Sequence, residues 1–507
     1  MASFRETAVA RLACGGEDLA ASELDRLVRR PVASPAARQG RADEIVRRFG
    51  RRLTDEAIFA HERRYPLLSA RRVVTRRQAS ALGASAAVAA FAAWLWPDLL
   101  LAGLVGLMWL LFGSSVFFRA ALALWGAAPQ EREPEPRPTA DSDLPLYTIL
   151  VPLYHEAGIV ADLARAMTAL DYPSERLDIK LVVEADDAQT ALACDALGAP
   201  FEVLRVPPSF PRTKPKAINF ALQLARGEFL VIFDAEDRPQ PDQLKKAVAR
   251  FARLPRSVAC LQARLAFYNA LDCWLTRLFA LDYELWFGML LPGLERIAVP
   301  IPLGGTSNHF RIAVLREVGA WDPFNVTEDA DLGIRLSQRG YRVAMLDSTT
   351  FEEAPRRLGP WIRQRSRWLK GYMQTWLVHS RGARGLIANT GLRGFCAFQL
   401  FIGGAVLSAL VNPLLWAVCI ASCVGSWPMQ GDAAILSAIG AMGSNGVLIG
   451  LAAAASARES GGRCSLYALT VTAYWLLISV AAYRGLWHLL TKPFHWDKTA
   501  HGPSGDA

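Results

Sequence analysis

The run Asp234-Ala-Glu236-Asp237 closes the apolar stretch Phe229-Leu-Val-Ile-Phe233. A buried strand that ends in clustered carboxylates offers oxygen ligands to a hard divalent cation at the carboxyl edge of a sheet, where the cation can bridge to a diphosphate. Two carboxylates two residues apart in an extended turn point to one side of the chain. The same acidic turn is equally a cap for a helix start before Pro239. Three further groups stand at separations that one site can unite: Asp186-Asp187 upstream, then Thr327-Glu328-Asp329 and Gln364-Arg-Ser-Arg367-Trp368 downstream.

These groups depend on the elements around them. Leu146 to Leu153 reads as a strand ending in Tyr154-His-Glu156, Ile159 to Leu170 as a helix, and Ile179 to Val183 as a second strand ending in Glu184-Ala-Asp186-Asp187. Lys216 to Ala225 has helical spacing and precedes the strand that delivers Asp234. Strand and helix alternate, which predicts an α/β domain with a doubly wound, mostly parallel sheet. Gln240 to Phe251 and Leu271 to Phe287 read as helices, and Pro302 to Asn308 as a tight polar loop feeding a short strand. Trp361 to Trp376 reads as a basic, aromatic helix, a composition that also suits a membrane interface.

At 507 residues the chain exceeds what one hydrophobic core organises. Gln78 to Trp96, Leu99 to Phe118, Phe395 to Val424, Ala433 to Ser456 and Cys464 to Leu490 are apolar and near the roughly 20 residues that cross hydrocarbon. Residues 1–77 precede the first of them, so a secretory signal peptide is not the explanation expected for the first pair. The formal charge is +9, and residues 1–77 hold 17 Arg against 10 Asp plus Glu, giving +7. With few aromatics there for base stacking, no nucleic-acid partner is expected; the segment reads as a cytoplasmic region near anionic headgroups. The eight Cys show no paired spacing, which suits reduced thiols and a cytosolic domain. Arg71, Arg72, Arg76 and Arg77, with Arg132 and Arg137, put both ends of the first apolar pair inside. Gly425 to Asp432 carries no Lys or Arg and reads as external, whereas Arg458 and Arg463 return the next loop to the cytosol. Cys464 to Leu490 either spans again or lies at the interface; the basic residues after it favour a cytosolic end and the interfacial placement.

The ordered set of an early Asp, an Asp-x-acidic run, Thr-Glu-Asp and Gln-x-x-Arg-Trp resembles the processive, membrane-embedded family 2 glycosyltransferases, the group of cellulose, curdlan, chitin and hyaluronan synthases. The resemblance covers roughly Tyr147 to Gly502. It implies a GT-A type α/β cytosolic domain with a doubly wound mixed sheet, joined to an α-helical transmembrane region in a bacterial-type inner membrane. The chain then divides into an Arg-rich region (1–77), a transmembrane hairpin (78–127), a linker (128–143), the GT-A domain (144–345), interfacial helices (346–392), transmembrane and interfacial helices (393–490) and a gating-loop-like tail (491–507).

By the same resemblance Asp186 or Asp187 holds the nucleoside, unless the pair caps a helix at Ala188. Asp234 and Glu236, with Asp237 as the alternative second contact, bind Mg²⁺ or Mn²⁺. Lys214 and Lys216 lie beside the nucleotide. In Thr327-Glu328-Asp329 the Asp is the base for an inverting displacement; Glu328 and Asp331 also suit the first turn of a helix. Gln364 and Arg367 reach the diphosphate and acceptor end, and Trp368 stacks on the acceptor sugar. Trp496, Lys498, Thr499 and His501 resemble a gating loop over the donor, or else form a solvated tail. The function implied is elongation and export of a β-linked polysaccharide from UDP-glucose or a similar UDP-hexose. Two readings stand beside it: single addition of a sugar to a lipid, and a non-catalytic membrane scaffold. The partners implied are the nucleotide-sugar donor, a growing glycan or lipid acceptor, membrane lipids, and a second copy of the chain or a secretion partner.

Overall fold

Eight strands form one mixed sheet in the order β3-β2-β1-β4-β7-β6-β8-β5. They are β1 (Tyr147–Leu153), β2 (Leu177–Glu184), β3 (Phe201–Val206), β4 (Phe229–Ile232), β5 (Arg238–Pro239), β6 (Val258–Phe267), β7 (Asn308–Arg311) and β8 (Arg342–Glu352). A computed structural model describes residues 23–24, 26–28, 35–128, 140–424, 432–460 and 465–494 of the chain. Most of the linker, and Trp496, Lys498, Thr499 and His501, lie outside the described residues.

β3, β2, β1 and β4 run parallel, as do β6 and β8, whereas β7 is antiparallel to both β4 and β6 and β5 to β8, so the sheet is mixed but mostly parallel, as expected. β1, β2 and β4 are buried on both faces, as their unbroken apolar runs require. Alternate residues feed two cores. Tyr147, Ile149, Val151 and Leu153 face one core, and Leu150, Val182, Leu204, Leu230 and Ile232 face the other.

The second core is closed by a helix from the N-terminal region, Pro35–Arg64. Its stripe of Ala42, Ile45, Phe49, Leu53 and Ala57 is buried there, at the spacing of one helix face. The Gln39 side chain accepts from Val203 N (2.8 Å) and donates to Val203 O (3.0 Å), finishing the edge of β3. Asn219 and Gln223 donate to the carbonyls of Ala57 (3.0 Å) and Leu53 (2.8 Å). Several arginines of this region are neutralised locally: Arg48 by Glu23 and Glu44, Arg63 by Asp55 and Glu56, and Arg71 by Glu62. The region is therefore a docked part of the domain rather than a basic extension alone.

Five helical stretches are long and apolar enough to cross a membrane: Arg76–Leu95, Pro97–Ala127, Ala383–Ser422, Ile439–Arg458 and Leu466–Thr491. They follow the five apolar segments expected, with Pro97 starting the second helix after the turn at Trp96. The sheet runs on to Glu352, beyond the expected boundary at residue 345. The described cysteines 194, 260, 273, 396 and 419 are free thiols.

Candidate active site

Register brings the strand ends to one edge. Leu153 of β1 pairs with Val183 of β2, and Leu150 with Ile232 of β4, so Glu184 and Asp234 emerge at the same edge on either side of β1. Ile232 also pairs with Asn308 at the start of antiparallel β7, which returns the loop Gly304 to Ser307 to the same edge. Thr327 is the residue before helix Glu328–Gln338, so Glu328 and Asp329 occupy its first turn. That turn meets helix Leu358–Ser380 where Gly371 lies; any Cβ there would overlap the Thr327 side chain. The close approach brings the helix that carries Gln364, Arg367 and Trp368 to the same cavity as Asp329.

A cavity of about 1110 Å³ gathers these groups. Lys214, Asp234, Glu236, Thr327, Glu328, Asp329, Gln364, Arg367 and Trp368 all line it, with Gly304 and Gly305. Lys214 Nζ donates to Asp234 Oδ1 (2.5 Å) and to Gly305 O (2.6 Å), and a Cβ on Gly305 would stand 3.9 Å from Asp329 Oδ2. One ammonium thus links the acidic turn to the loop that faces Asp329. Burial opposes the charge on Lys214, but Asp234, Asp329 and Glu328 outweigh it and hold its pKa above the usual range.

The carboxylates are pushed towards their neutral, protonated form. Burial and neighbouring Glu328 raise Asp329 well above the ordinary value, and its Oδ1 is buried without a hydrogen-bond partner. Burial lifts Glu328 to about 7 against the pull of Lys214 and Arg367. Glu352, at the end of β8, also lines the cavity; burial and then Asp237, Glu236 and Asp234 raise it. Such groups favour an added positive charge.

Four of the expected residues sit elsewhere. Asp187 accepts from His155 N (2.5 Å) and Thr190 N (3.2 Å), capping helix Ala188–Asp195, and does not line the cavity. Asp186 pairs with Arg212 (2.6 Å), which does line it. Lys216 is fully buried against Glu184 (2.7 Å), so Glu184 is the carboxylate that β2 sends to the cavity wall. Asp237 lies beneath the acidic turn, accepting from Asp234 N (2.7 Å) and from the Thr306 hydroxyl; burial raises its pKa. Asp331 holds the scaffold, paired with Arg335 (2.7 Å) and His379 (2.9 Å).

Among the described residues no three His, Cys, Asp or Glu side chains form a ready cage for a metal ion. Magnesium commonly takes one or two carboxylates and completes its shell with substrate phosphates and water. The all-oxygen pair Asp234 and Glu236, above the unpartnered Asp237 Oδ1, fits that mode.

The cavity continues past Trp368 to Trp286, Tyr372, Ala405, Trp475 and Ile478, side chains of the helices that lead into and through the apolar region. Lys492, Pro493 and Phe494 close its other side. Sequence reasoning missed Glu184, Arg212, Glu352, Asp282 and Arg119 as lining residues. Arg119 had a signal, as the lone cation in Pro97–Ala127.

The sequence profile of glycosyl transferase family group 2 matches residues 229–435, from β4 through the acidic turn to the apolar helices. The chain carries a family 2 glycosyltransferase domain. A probable glycosyltransferase of Bacillus subtilis, YdaM, is 24% identical over 234 residues, 45% of this chain and 56% of that protein. Glucomannan 4-beta-mannosyltransferase 2 of Arabidopsis thaliana is 27% identical over 240 residues, 45% of each chain. The beta-monoglucosyldiacylglycerol synthase of Trichormus variabilis is 27% identical over 264 residues, 51% of this chain and 54% of that one. The chain thus spans about half the length of these relatives. The mannosyltransferase PcManGT of Pyrobaculum calidifontis, solved with GDP-Man and Mn²⁺, shares the fold with a TM-score of 0.51 and 20% identity, over 77% of this chain and 99% of that chain. The glycosyltransferase domain is therefore a mixed-sheet GT-A-like fold whose acidic turn lies at the start of the matched segment.

Proposed function

We propose that the protein is an inverting glycosyltransferase that moves a hexose from a nucleoside diphosphate to an acceptor hydroxyl reached from the membrane side, elongating a β-linked glycan. The observation that carries this reading is the single cavity that joins Asp234, Glu236 and Asp329 to the membrane-helix residues Ala405 and Trp475. Asp234 and Glu236 would hold Mg²⁺ or Mn²⁺, whose chemistry is to offset charge on the leaving diphosphate. Lys214 stands beside them as a point charge for phosphate oxygens. Asp329 accepts the proton of the acceptor hydroxyl; that oxygen forms the new bond to the anomeric carbon as the bond to the diphosphate breaks, which inverts the centre. Trp368 lies close to Tyr283 and Phe279 (centroids 6.2 and 6.0 Å), and together they offer an aromatic wall to a sugar face.

UDP-glucose is the first donor to test, and the mannosyltransferases among the relatives bring GDP-mannose into the same assay. Purified protein in lipid vesicles is incubated with UDP-glucose, UDP-N-acetylglucosamine and GDP-mannose, and nucleotide release and product size are measured. Release with one donor and a long polar product is expected; no release with any activated sugar would sink the proposal. A single labelled sugar on an organic-soluble product would instead favour a lipid acceptor.

A further inference from the structure

We propose that Trp321 is the positioning residue for Asp329: its indole N–H holds the inner oxygen of that carboxylate and leaves the outer one to take the acceptor proton. The inference rests on the glycosyltransferase reading and adds to it the group that orients the base. Trp321 is fully buried and does not line the cavity, so it touches neither donor nor acceptor and acts through Asp329.

The two oxygens of Asp329 have different surroundings. Oδ2 faces the loop at Gly305, where an added Cβ would stand 3.9 Å away, on the side of the cavity. Oδ1 is buried and has no hydrogen bond of full geometry, and the same holds for Nε1 of Trp321. Burial and then Glu328 raise the Asp329 pKa, while Lys214 and a hydrogen bond from the Trp321 side chain lower it. The indole has one polar atom, its Nε1–H donor, so that is the atom turned towards the carboxylate. A buried N–H and a buried carboxylate oxygen each cost free energy when unpaired, and one bond between them satisfies both. Catalytic hydrogen bonds are often long in a substrate-free site and tighten once the reactants are bound.

The indole is itself locked in place. Asn219 donates to the Trp321 carbonyl (2.8 Å) and accepts from its N–H (3.2 Å), and the same amide donates to Ala57 O (3.0 Å) of the N-terminal helix. Phe310 of β7 meets the indole edge-on, with centroids 5.6 Å apart. Gly319 and Ala320, just before it, both have positive φ, +82° and +50°, a turn that strains the backbone at Ala320. Arg335 of helix Glu328–Gln338 donates to the carbonyls of Val318 (3.0 Å) and Ala320 (2.7 Å) on either side of Gly319. The turn that presents the indole is therefore bonded to the helix that presents Asp329, which fixes their separation. A bond from Nε1 stops the carboxylate rotating and favours its ionised form. Because the indole is a donor only, the proton that Oδ2 takes stays on Asp329.

The test places benzothienylalanine at position 321 of the full-length protein in lipid vesicles; this residue keeps the bicyclic shape and has sulfur where the indole has N–H. The kcat of acceptor-dependent nucleotide release should fall about 10- to 100-fold, the effect of one hydrogen bond to a charged group, with the donor KM nearly unchanged. Trp321→Phe should behave alike, and fluorotryptophan at the same position, which keeps the N–H, should restore turnover. Wild-type turnover in the benzothienylalanine protein would mean that Trp321 only fills space, and it overturns the inference. Thermal midpoints give a second readout that does not depend on turnover. Benzothienylalanine should lower the midpoint by about 2 °C or more in the wild-type background and leave it unchanged in Asp329→Ala, where no oxygen remains to be held. An equal shift in both backgrounds also overturns the inference. Should Trp321→Phe fail to fold, the isosteric residue decides. No nucleotide release by wild type with any activated sugar would count against the glycosyltransferase reading, and the thermal comparison would still report whether Trp321 holds Asp329.

Discussion

Asp329 should be needed for turnover and not for donor binding. Replacing it with Asn keeps the volume and removes the proton acceptor, so Asp329→Asn should slow acceptor-dependent nucleotide release by about 10²- to 10⁴-fold. Donor affinity, measured by equilibrium titration, should change little; equal loss of both would make Asp329 a donor ligand or a scaffold residue. Asp187 should behave oppositely. Its role as a helix cap predicts that Asp187→Ala costs about 1 kcal/mol of stability, read as a lower thermal midpoint, with donor binding retained. The acidic turn, Thr327 to Asp329 and Gln364 to Trp368 were legible in the sequence, because polar residues at the ends of apolar runs have few other reasons to be there. For Asp187 the sequence left two roles open, since one residue of turn decides whether a carboxylate faces a cavity or caps a helix; Glu184 looked like an ordinary strand end, and Glu352 lay beyond the domain boundary expected at residue 345. Two buried histidines give a pH prediction. His309 accepts from the Tyr147 hydroxyl at Nδ1 (2.7 Å) and donates from Nε2 to Gln243 Oε1 (3.2 Å), a neutral tautomer. Burial lowers His309 to about 3, and burial, then Arg335, lowers His61 to about 3, both from 6.5. The unfolded chain therefore binds protons that the folded chain refuses. Their stability contribution is full above pH 6.5 and is lost as pH falls towards 3, by up to about 1.4 kcal/mol per unit for each. Thermal midpoints between pH 7 and 5 should fall, with a shallower slope in His309→Gln; an unchanged slope would remove His309 as a cause.

Helices meet the catalytic domain through glycines that the sequence does not single out. A Cβ on Gly126 would overlap Met289 O, and one on Gly293 would overlap Leu122 O, so helix Pro97–Ala127 and helix Leu291–Arg296 touch backbone to backbone. No side chain can move aside there, and overpacking of this kind costs about 1–3 kcal/mol. Gly293→Val should lower the melting temperature in detergent and expose this junction to protease. Gly103→Ala, where nothing lies within 4 Å, should do neither; equal behaviour of the two variants would remove the contact as an anchor. Helix Pro35–Arg64 escaped the sequence reading for a related reason. Its apolar stripe was present, but the many arginines on the outer face dominated the composition, and the need for a cover over β3 appears only once the strand order is known. The brace continues past the helix: Ala70 N donates to Asp322 Oδ2 (2.5 Å), and Asp322 accepts also from Phe324 N (3.0 Å), in the loop that leads to Thr327.

At the scale of the molecule the number of membrane crossings decides whether the cavity can be closed from the cytosol. Helix Val471–Thr491 is long and apolar enough to cross, yet both of its ends lie against the catalytic domain. At its start Trp274 Nε1 donates to Thr470 Oγ1 (2.9 Å) and Arg277 Nη1 to Tyr467 Oη (2.5 Å). Past its end Gln374 Nε2 donates to Pro493 O (3.2 Å), and Phe494 packs edge-on against Phe324 (5.5 Å). Between those points it follows helix Leu358–Ser380, with Tyr474 beside Trp361, Gly485 against Ser366, and Leu489 clustered with Met373. We propose that this helix, held at both ends by the catalytic domain, lies along the interface, with four crossings and residue 492 on the side of the cavity. Single-cysteine variants in a cysteine-free background test this with a membrane-impermeant thiol reagent on sealed vesicles of both orientations. Lys492→Cys should react only in inside-out vesicles and Val424→Cys only in right-side-out ones. Reaction of Lys492→Cys from the outer side would require a fifth crossing, which would part Pro493 and Phe494 from Gln374 and Phe324 and leave the cavity without the wall they supply.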